Sequence, residues 1–271
     1  MPEGIFNGVR LFYEEAGSGD PLVLVHGSWM DHHTWDQLAP SLAERFRVVS
    51  YDRRGHSQSE RPPGQGSVRE DVADLAALIE DRGLAPAHII GNSFGGSIVL
   101  RLAIDRPELA RSLAVHEPPI MSLLATNPSS GSEALGESQG DVMAVIQLAA
   151  SGDMEGAAHR FWDGILGPVG WEGLTAEDKK RFVNNGPTFL DEVGEPDAFA
   201  LDTGPLGDVS SPALLTAGSA SPPHFPAIVG GLTEAMKGAC RHTFEGAGHI
   251  PHQTHANQYL DAWMSFVKDD A

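Results

Sequence analysis

A chain of 271 residues with 18 basic and 37 acidic side chains carries a formal net charge of −19, a surface that repels nucleic acid and anionic membranes and makes neither an expected partner. Its hydrophobic fraction of 41% can fill a large core, and its length suits one domain carrying an insertion.

From the N-terminus, the opening stretch lacks the basic-then-apolar layout of a signal peptide. No apolar run in the chain approaches the length of a membrane span, so a soluble, cytoplasmic protein is expected. "VRLFYEEAG" (9–17) reads as a strand ending in a Gly/Ser/Asp/Pro turn. "PLVLVHG" (21–27), "RFRVVSYD" (45–52), "AHIIGNS" (87–93), "RSLAVHE" (111–117), "SPALLTAG" (211–218) and "CRHTFEGAG" (240–248) read as strands, the first of them apolar throughout, as strands buried on both faces are. Helical patterns lie between them. Ser67 and Glu70 make a capping box for a helix over 67–83, with Val68, Val72, Leu75 and Ile79 on one face. Others fit 94–106 and about 255–268. This alternation predicts an α/β fold: a mostly parallel twisted sheet flanked by helices.

Between Glu117 and Ser211 the alternation stops. "TNPSSGSEALGESQGD" (126–141) reads as a polar loop, followed by helices near 141–151, 154–163 and 176–185. The segment 119–206 is expected to be a helical cap inserted into a core domain of 1–118 and 207–271. The other reading is that it is simply more core. The lone cysteine, Cys240, excludes an internal disulfide and reads as a buried structural thiol.

Three stretches carry chemistry. "IIGNSFGGS" (89–97) sets Gly91-x-Ser93-x-Gly95 between a buried strand and a helix. A sharp strand-to-helix turn exposes a serine hydroxyl, and small residues two places either side relieve the crowding, so Ser93 is the candidate nucleophile. "HGSW" (26–29) ends an earlier strand. Ser28 there, with Phe94 after the serine, could supply two backbone N–H groups to an oxyanion. His26 reads as structural, its ring bonded to the loop backbone. "GAGHIPH" (246–252) puts His249 on a Gly-rich loop late in the chain, as a base for Ser93; His252 and His255 are second choices.

The base needs a carboxylate, and the loop after the strand that follows the insertion, "AGSASPPHFP" (217–226), has none: Ser221 stands where an aspartate is expected. Asp208 precedes that strand, at the wrong end of the sheet. Glu117 stands at the C-terminal end of the preceding sheet strand, where functional groups of parallel sheets collect, and is the candidate acid. Its other reading is a charged hinge residue.

With "VHGSW", "YDRRGHSQS" (51–59), "GNSFGG" and "GAGHIPH" in this order, the chain resembles the α/β-hydrolase superfamily over nearly its whole length. "YDRRGHSQS" is a structural signature of that superfamily, so Asp52, Arg53 and His56 receive no catalytic role. "VHEPP" followed by "GSASPPHF" is similar to a subgroup whose triad acid is a Glu after strand six, as in fungal lactone hydrolases acting on zearalenone. The resemblance implies Ser93, His249 and Glu117 as triad, Ser28 and Phe94 as oxyanion donors, no cofactor and no metal; His32-His33 is too isolated to suggest a metal site.

The expected substrate is a small, hydrophobic ester or lactone, handled by the chain alone or as a homodimer. Trp29, Phe161, Trp162, Trp171 and Phe189 are candidates to line its pocket, or equally to fill the core of the insertion. The same fold and triad serve C–C bond hydrolases, thioesterases and cofactor-free peroxidases. A haloalkane dehalogenase would carry Asp at position 93. A ligand-binding receptor on the same fold is the rival from another class.

Overall fold

The seven strands expected from the sequence, and one more before them, form a single sheet in a computed structural model that describes residues 3–125, 132–166, 170–195 and 197–269. The strands are β1 (Glu3–Phe6), β2 (Val9–Ala16), β3 (Asp20–Val25), β4 (Phe46–Tyr51), β5 (Ala87–Asn92), β6 (Ala110–His116), β7 (Ala213–Gly218) and β8 (Cys240–Phe244). Their order is β1-β2-β4-β3-β5-β6-β7-β8. The pairs β1/β2 and β2/β4 are antiparallel, and all others are parallel. The additional strand β1 is joined to β2 by Asn7-Gly8, both at positive φ, the usual chemistry of a two-residue hairpin.

Side chains alternate between the two faces of the sheet. Val23 and Val25 of β3 join a core with α2 (Val68–Asp81), α3 (Phe94–Asp105) and α8 (His224–Ala235). Leu22 and Leu24 join the opposite core with α1 (Ala39–Ala43) and α10 (Ala256–Asp269). Helix α2 begins at Ser67 with the expected reciprocal capping box. Strand β3 lies between β4 and β5, so the chain leaves it in opposite directions and opens a crevice at the C-terminal ends of the strands.

The segment between β6 and β7 is helical: α4 (Ser122–Ala125), α5 (Ser132–Ala150), α6 (Met154–Leu166) and α7 (Ala176–Gly194). Two expectations need correction here. The polar stretch 126–141 is not a loop throughout. Helix α5 starts at Ser132, because the apolar stripe further along it, including Val145 and Ala149, packs on α6 and outweighs weak local propensity; residues 126–131 lie outside the described residues. Helix α7 runs on past Asn185 and through Pro187, held by Phe182 and Phe189, which are buried on either side of the proline. Cys240 is also not buried: it begins β8, the edge strand, and is exposed. Among the described residues, no helix is long and apolar enough to cross a membrane.

Candidate active site

Ser93 sits between β5 and α3 with φ 54° and ψ −124°, a conformation an L-residue adopts only under strain. The turn is tight enough that a Cβ on Gly95 would collide with the carbonyl oxygens of Val25 and His26. The Ser93 N–H donates to His116 O (2.8 Å), fixing the turn against β6. In the first turn of α3 the N–H groups of Gly96 and Ser97 bond Ser93 O (2.9 and 3.3 Å), and those of Phe94 and Gly95 precede the first such bond.

Glu117 follows β6 and is likewise at positive φ (45°). Its Oε2 lies 2.6 Å from His249 Nδ1, and its Oε1 accepts the Gly218 N–H at 2.7 Å. Both side chains are buried. Burial would push the Glu117 carboxyl up, but the imidazoles of His116 and His249 beside it outweigh that and hold it well below the usual carboxylate range. His249 lies between β8 and the short helix α9 (Pro251–Thr254). Asn92 Nδ2 donates to its carbonyl (3.0 Å), and the Phe225 ring stacks on its imidazole with centroids 4.3 Å apart. His252, a second choice for the base, instead bonds Thr34 Oγ1 at 2.8 Å. Ser221, where an aspartate is expected, has a buried hydroxyl with no hydrogen-bond partner among the described residues.

Ser93, Ser28 and His249 line one cavity. Among the described residues Ser93 Oγ makes no hydrogen bond. The cavity is mostly apolar. Val142 and Val145 of α5, Phe161 and Ile165 of α6 and Phe189 of α7 roof it, and Met121, Phe199, His224 and Phe225 close its sides. Of the five aromatics expected to line it, Phe161 and Phe189 do. Trp29, Trp162 and Trp171 do not. Trp162 is 1% exposed and stacks on Phe182, Trp171 stacks on His159, and Trp29 is wholly buried against both Phe161 and Phe189. Large rings close to the insertion's own centre are worth more as packing than as wall.

His26 is structural, as expected: its Nε2 accepts the Arg53 N–H (2.9 Å), which leaves Nδ1 to donate to Gly27 O (2.8 Å), a neutral ring. Burial holds it neutral. Less legible from the sequence is a buried network beside Ser28. Arg53 pairs with Asp71 (2.8 Å) and with Glu192 of α7 (3.0 Å), and Ser28 Oγ donates to Glu192 at 2.5 Å. No local pattern marks Glu192, which lies 139 residues from Arg53. Among the described residues, two groups bring His and carboxylate ligand atoms within 4.8 Å: His116, Glu117 and His249, and Asp31, His32 and Asp52. His32 is thus not isolated. Its Nδ1 and N–H both bond Asp52 Oδ1, and Asp52 Oδ2 accepts Gln58 N–H, so the second group is engaged in holding the loop together.

The alpha/beta hydrolase family model matches residues 22–262. A soluble epoxide hydrolase from a Corynebacterium species is 35% identical over 113 residues, 42% of this chain and 40% of that protein. The chain spans less than half the length of the curated relatives it matches. Among solved structures, an N-acyl homoserine lactone degrading enzyme superposes with a TM-score of 0.80 at 20% identity, over 98% of this chain and 100% of that one. The enol-lactonase from Burkholderia xenovorans does so with a TM-score of 0.68, also at 20% identity and over the same shares. At such identity these two likenesses speak for the fold.

Proposed function

The chain belongs to the alpha/beta hydrolase family, and from that premise we propose that it is a serine hydrolase of hydrophobic carboxylic esters or lactones, with Ser93, His249 and Glu117 as its triad. The observation that carries this reading is the 2.6 Å contact of Glu117 with His249 at the floor of an apolar cavity that also exposes Ser93.

In this mechanism His249 takes the proton of Ser93 Oγ as the oxygen attacks the substrate carbonyl. The N–H groups of Ser28 and Phe94 hold the tetrahedral oxyanion. His249 then gives the proton to the leaving alkoxide, and the acyl-serine remains. Water attacks it, again losing a proton to His249, and the acid leaves. Glu117, ionised throughout, orients the imidazole and stabilises its charged form. The helices of 119–206 act as a cap that shapes the acyl or lactone site. No step calls on a metal or cofactor.

The likeness to a soluble epoxide hydrolase raises a second chemistry, and the residue at position 93 argues against it. Attack by a serine oxygen on an epoxide carbon would leave an ether, which has no carbonyl for water to attack. The acyl-serine of an ester or lactone has one.

Labelling with a fluorophosphonate probe, mapped by peptide mass spectrometry, tests the proposal. Wild type should be labelled at Ser93, Ser93→Ala should not be labelled, and Glu117→Gln should label far more slowly. Labelling at another residue, or none on folded wild type, would refute it.

A further inference from the structure

We propose that helix α7 of the insertion is a two-point clamp on the loop Ser28–Met30, with Glu192 as a positioning residue that aims the oxyanion-binding N–H groups. The inference rests on the serine-hydrolase reading given above.

The clamp is visible in four contacts. Asn185 Nδ2 donates to the carbonyls of Trp29 (3.1 Å) and Met30 (3.0 Å). Seven residues on, about two turns of the same helix face, Glu192 Oε2 accepts the Ser28 hydroxyl at 2.5 Å. Between these points, Gly186 leaves room for Met154 and the Trp29 ring: a Cβ there would collide with Met154 Sδ and lie 2.8 Å from Trp29 Cζ3. The fourth contact reaches the other donor. Glu192 Oε1 bonds both terminal nitrogens of Arg53, at 3.0 and 3.1 Å, and the Arg53 guanidinium lies over the Phe94 ring, 4.7 Å from its centroid. One carboxylate therefore touches Ser28 directly and Phe94 through a guanidinium.

Stability alone does not account for this arrangement. Arg53, Asp71 and Glu192 are all buried, and apolar side chains of similar size would fill the space without the desolvation cost of three ionisable groups. What they provide is a fixed geometry. Trp29 sits at φ 65°, so the loop is held in a conformation it would not choose alone. Its restraints come from an element that also lines the substrate cavity through Phe189, which stands between Asn185 and Glu192 on the same helix face and packs on Trp29. The oxyanion pocket is thereby complete only when α7 is docked.

The test compares wild type with Glu192→Ala, Glu192→Asp and Glu192→Gln. Aspartate keeps a charge for Arg53 but shortens the reach to Ser28, and glutamine keeps an acceptor for Ser28. Turnover of 4-nitrophenyl butyrate is expressed per serine titrated with fluorophosphonate, which removes unfolded protein from the count. Hydrogen–deuterium exchange of peptides covering 26–31 is read alongside. The alanine and aspartate variants should lose about tenfold or more in kcat, with KM within about twofold, and should exchange faster at 26–31. Glutamine should recover most of the kcat. Wild-type kcat per titrated serine in Glu192→Asp, or unchanged exchange at 26–31, would overturn the clamp. If Glu192→Ala does not fold, the aspartate variant decides alone. Failure of wild type to label at Ser93 would instead sink the serine-hydrolase reading, which the exchange measurement does not depend on.

Discussion

Glu117 reaches His249 across the end of a strand that belongs to neither of them. Glu117 follows β6 and His249 follows β8, and the Gly218 N–H at the end of β7 lies between, bonded to the other carboxylate oxygen. A carboxylate held by a backbone N–H on one side and an imidazole on the other has one orientation open to it.

Replacing that carboxylate should therefore act on chemistry more than on folding. Glu117→Gln keeps an acceptor for Gly218 but presents an amide N–H to His249 Nδ1 and selects the wrong tautomer. Ester turnover should fall by roughly 10²–10⁴-fold with KM little changed. Steady-state kinetics on a chromogenic ester checks this; a loss of only a few-fold would place the acid elsewhere.

Ser93 gives a test of stored strain. Its φ of 54° penalises any side chain with a Cβ. Both Ser93→Ala and Ser93→Gly should be inactive, but the glycine variant should be the more stable of the two by about 1 kcal/mol, because only glycine accepts that conformation freely. Thermal unfolding of the pair decides it, and equal midpoints would mean the turn is relaxed.

Adjacent aromatics of α6 should separate cleanly. Phe161 lines the cavity, whereas Trp162 is buried against Phe182 at a centroid distance of 4.5 Å. Phe161→Ala should change KM and chain-length preference across a series of 4-nitrophenyl esters. Trp162→Ala should cost about 3–5 kcal/mol in stability, seen by denaturant unfolding. The reverse pattern would mean that the cavity wall has been misassigned.

Glu192 should make stability depend on pH in a defined window. Burial pushes its carboxyl up from 4.5 to about 7, with Asp71 adding to the rise and Arg53 and the Ser28 hydroxyl opposing it. Between these values the folded protein keeps a proton that the unfolded chain has released. The stability linked to that proton is complete below pH 4.5 and is lost as pH rises through 7. The stability of wild type minus that of Glu192→Gln should accordingly fall by about 3 kcal/mol across the window and level off above it. Denaturant unfolding of both proteins from pH 4.5 upward measures this, and a flat difference would contradict it.

Much of the sheet was legible because strands buried on both faces must be largely apolar, and residues 22–25 of β3, Ile89 and Ile90 of β5 and residues 213–215 of β7 are. The elbow at Ser93 was legible because its glycines answer a local steric demand, and the approach of Glu117 to His249 because the loop after β7 offers no carboxylate. The insertion was less so. Its helices owe their extent to one another, so local propensity misplaced the start of α5 and the end of α7. The five aromatics expected at the cavity could not be sorted from composition, since the side each ring faces depends on how three helices pack. Glu192 left no local trace, because its partners Ser28 and Arg53 come from two distant segments.

The aromatic cluster of the insertion is not made from the insertion alone. Trp29 and Met30, beside Ser28, and Ile250, beside His249, are part of it. The segment that roofs the cavity therefore borrows its own centre from the two loops that carry Ser28 and His249. It is not a detachable module. Grafting a relative's helices onto this sheet to change selectivity would leave a hole where Trp29 now fits, unless Trp29, Met30 and Ile250 were exchanged with them. A change in the roof must be matched in the loops that carry Ser28 and His249.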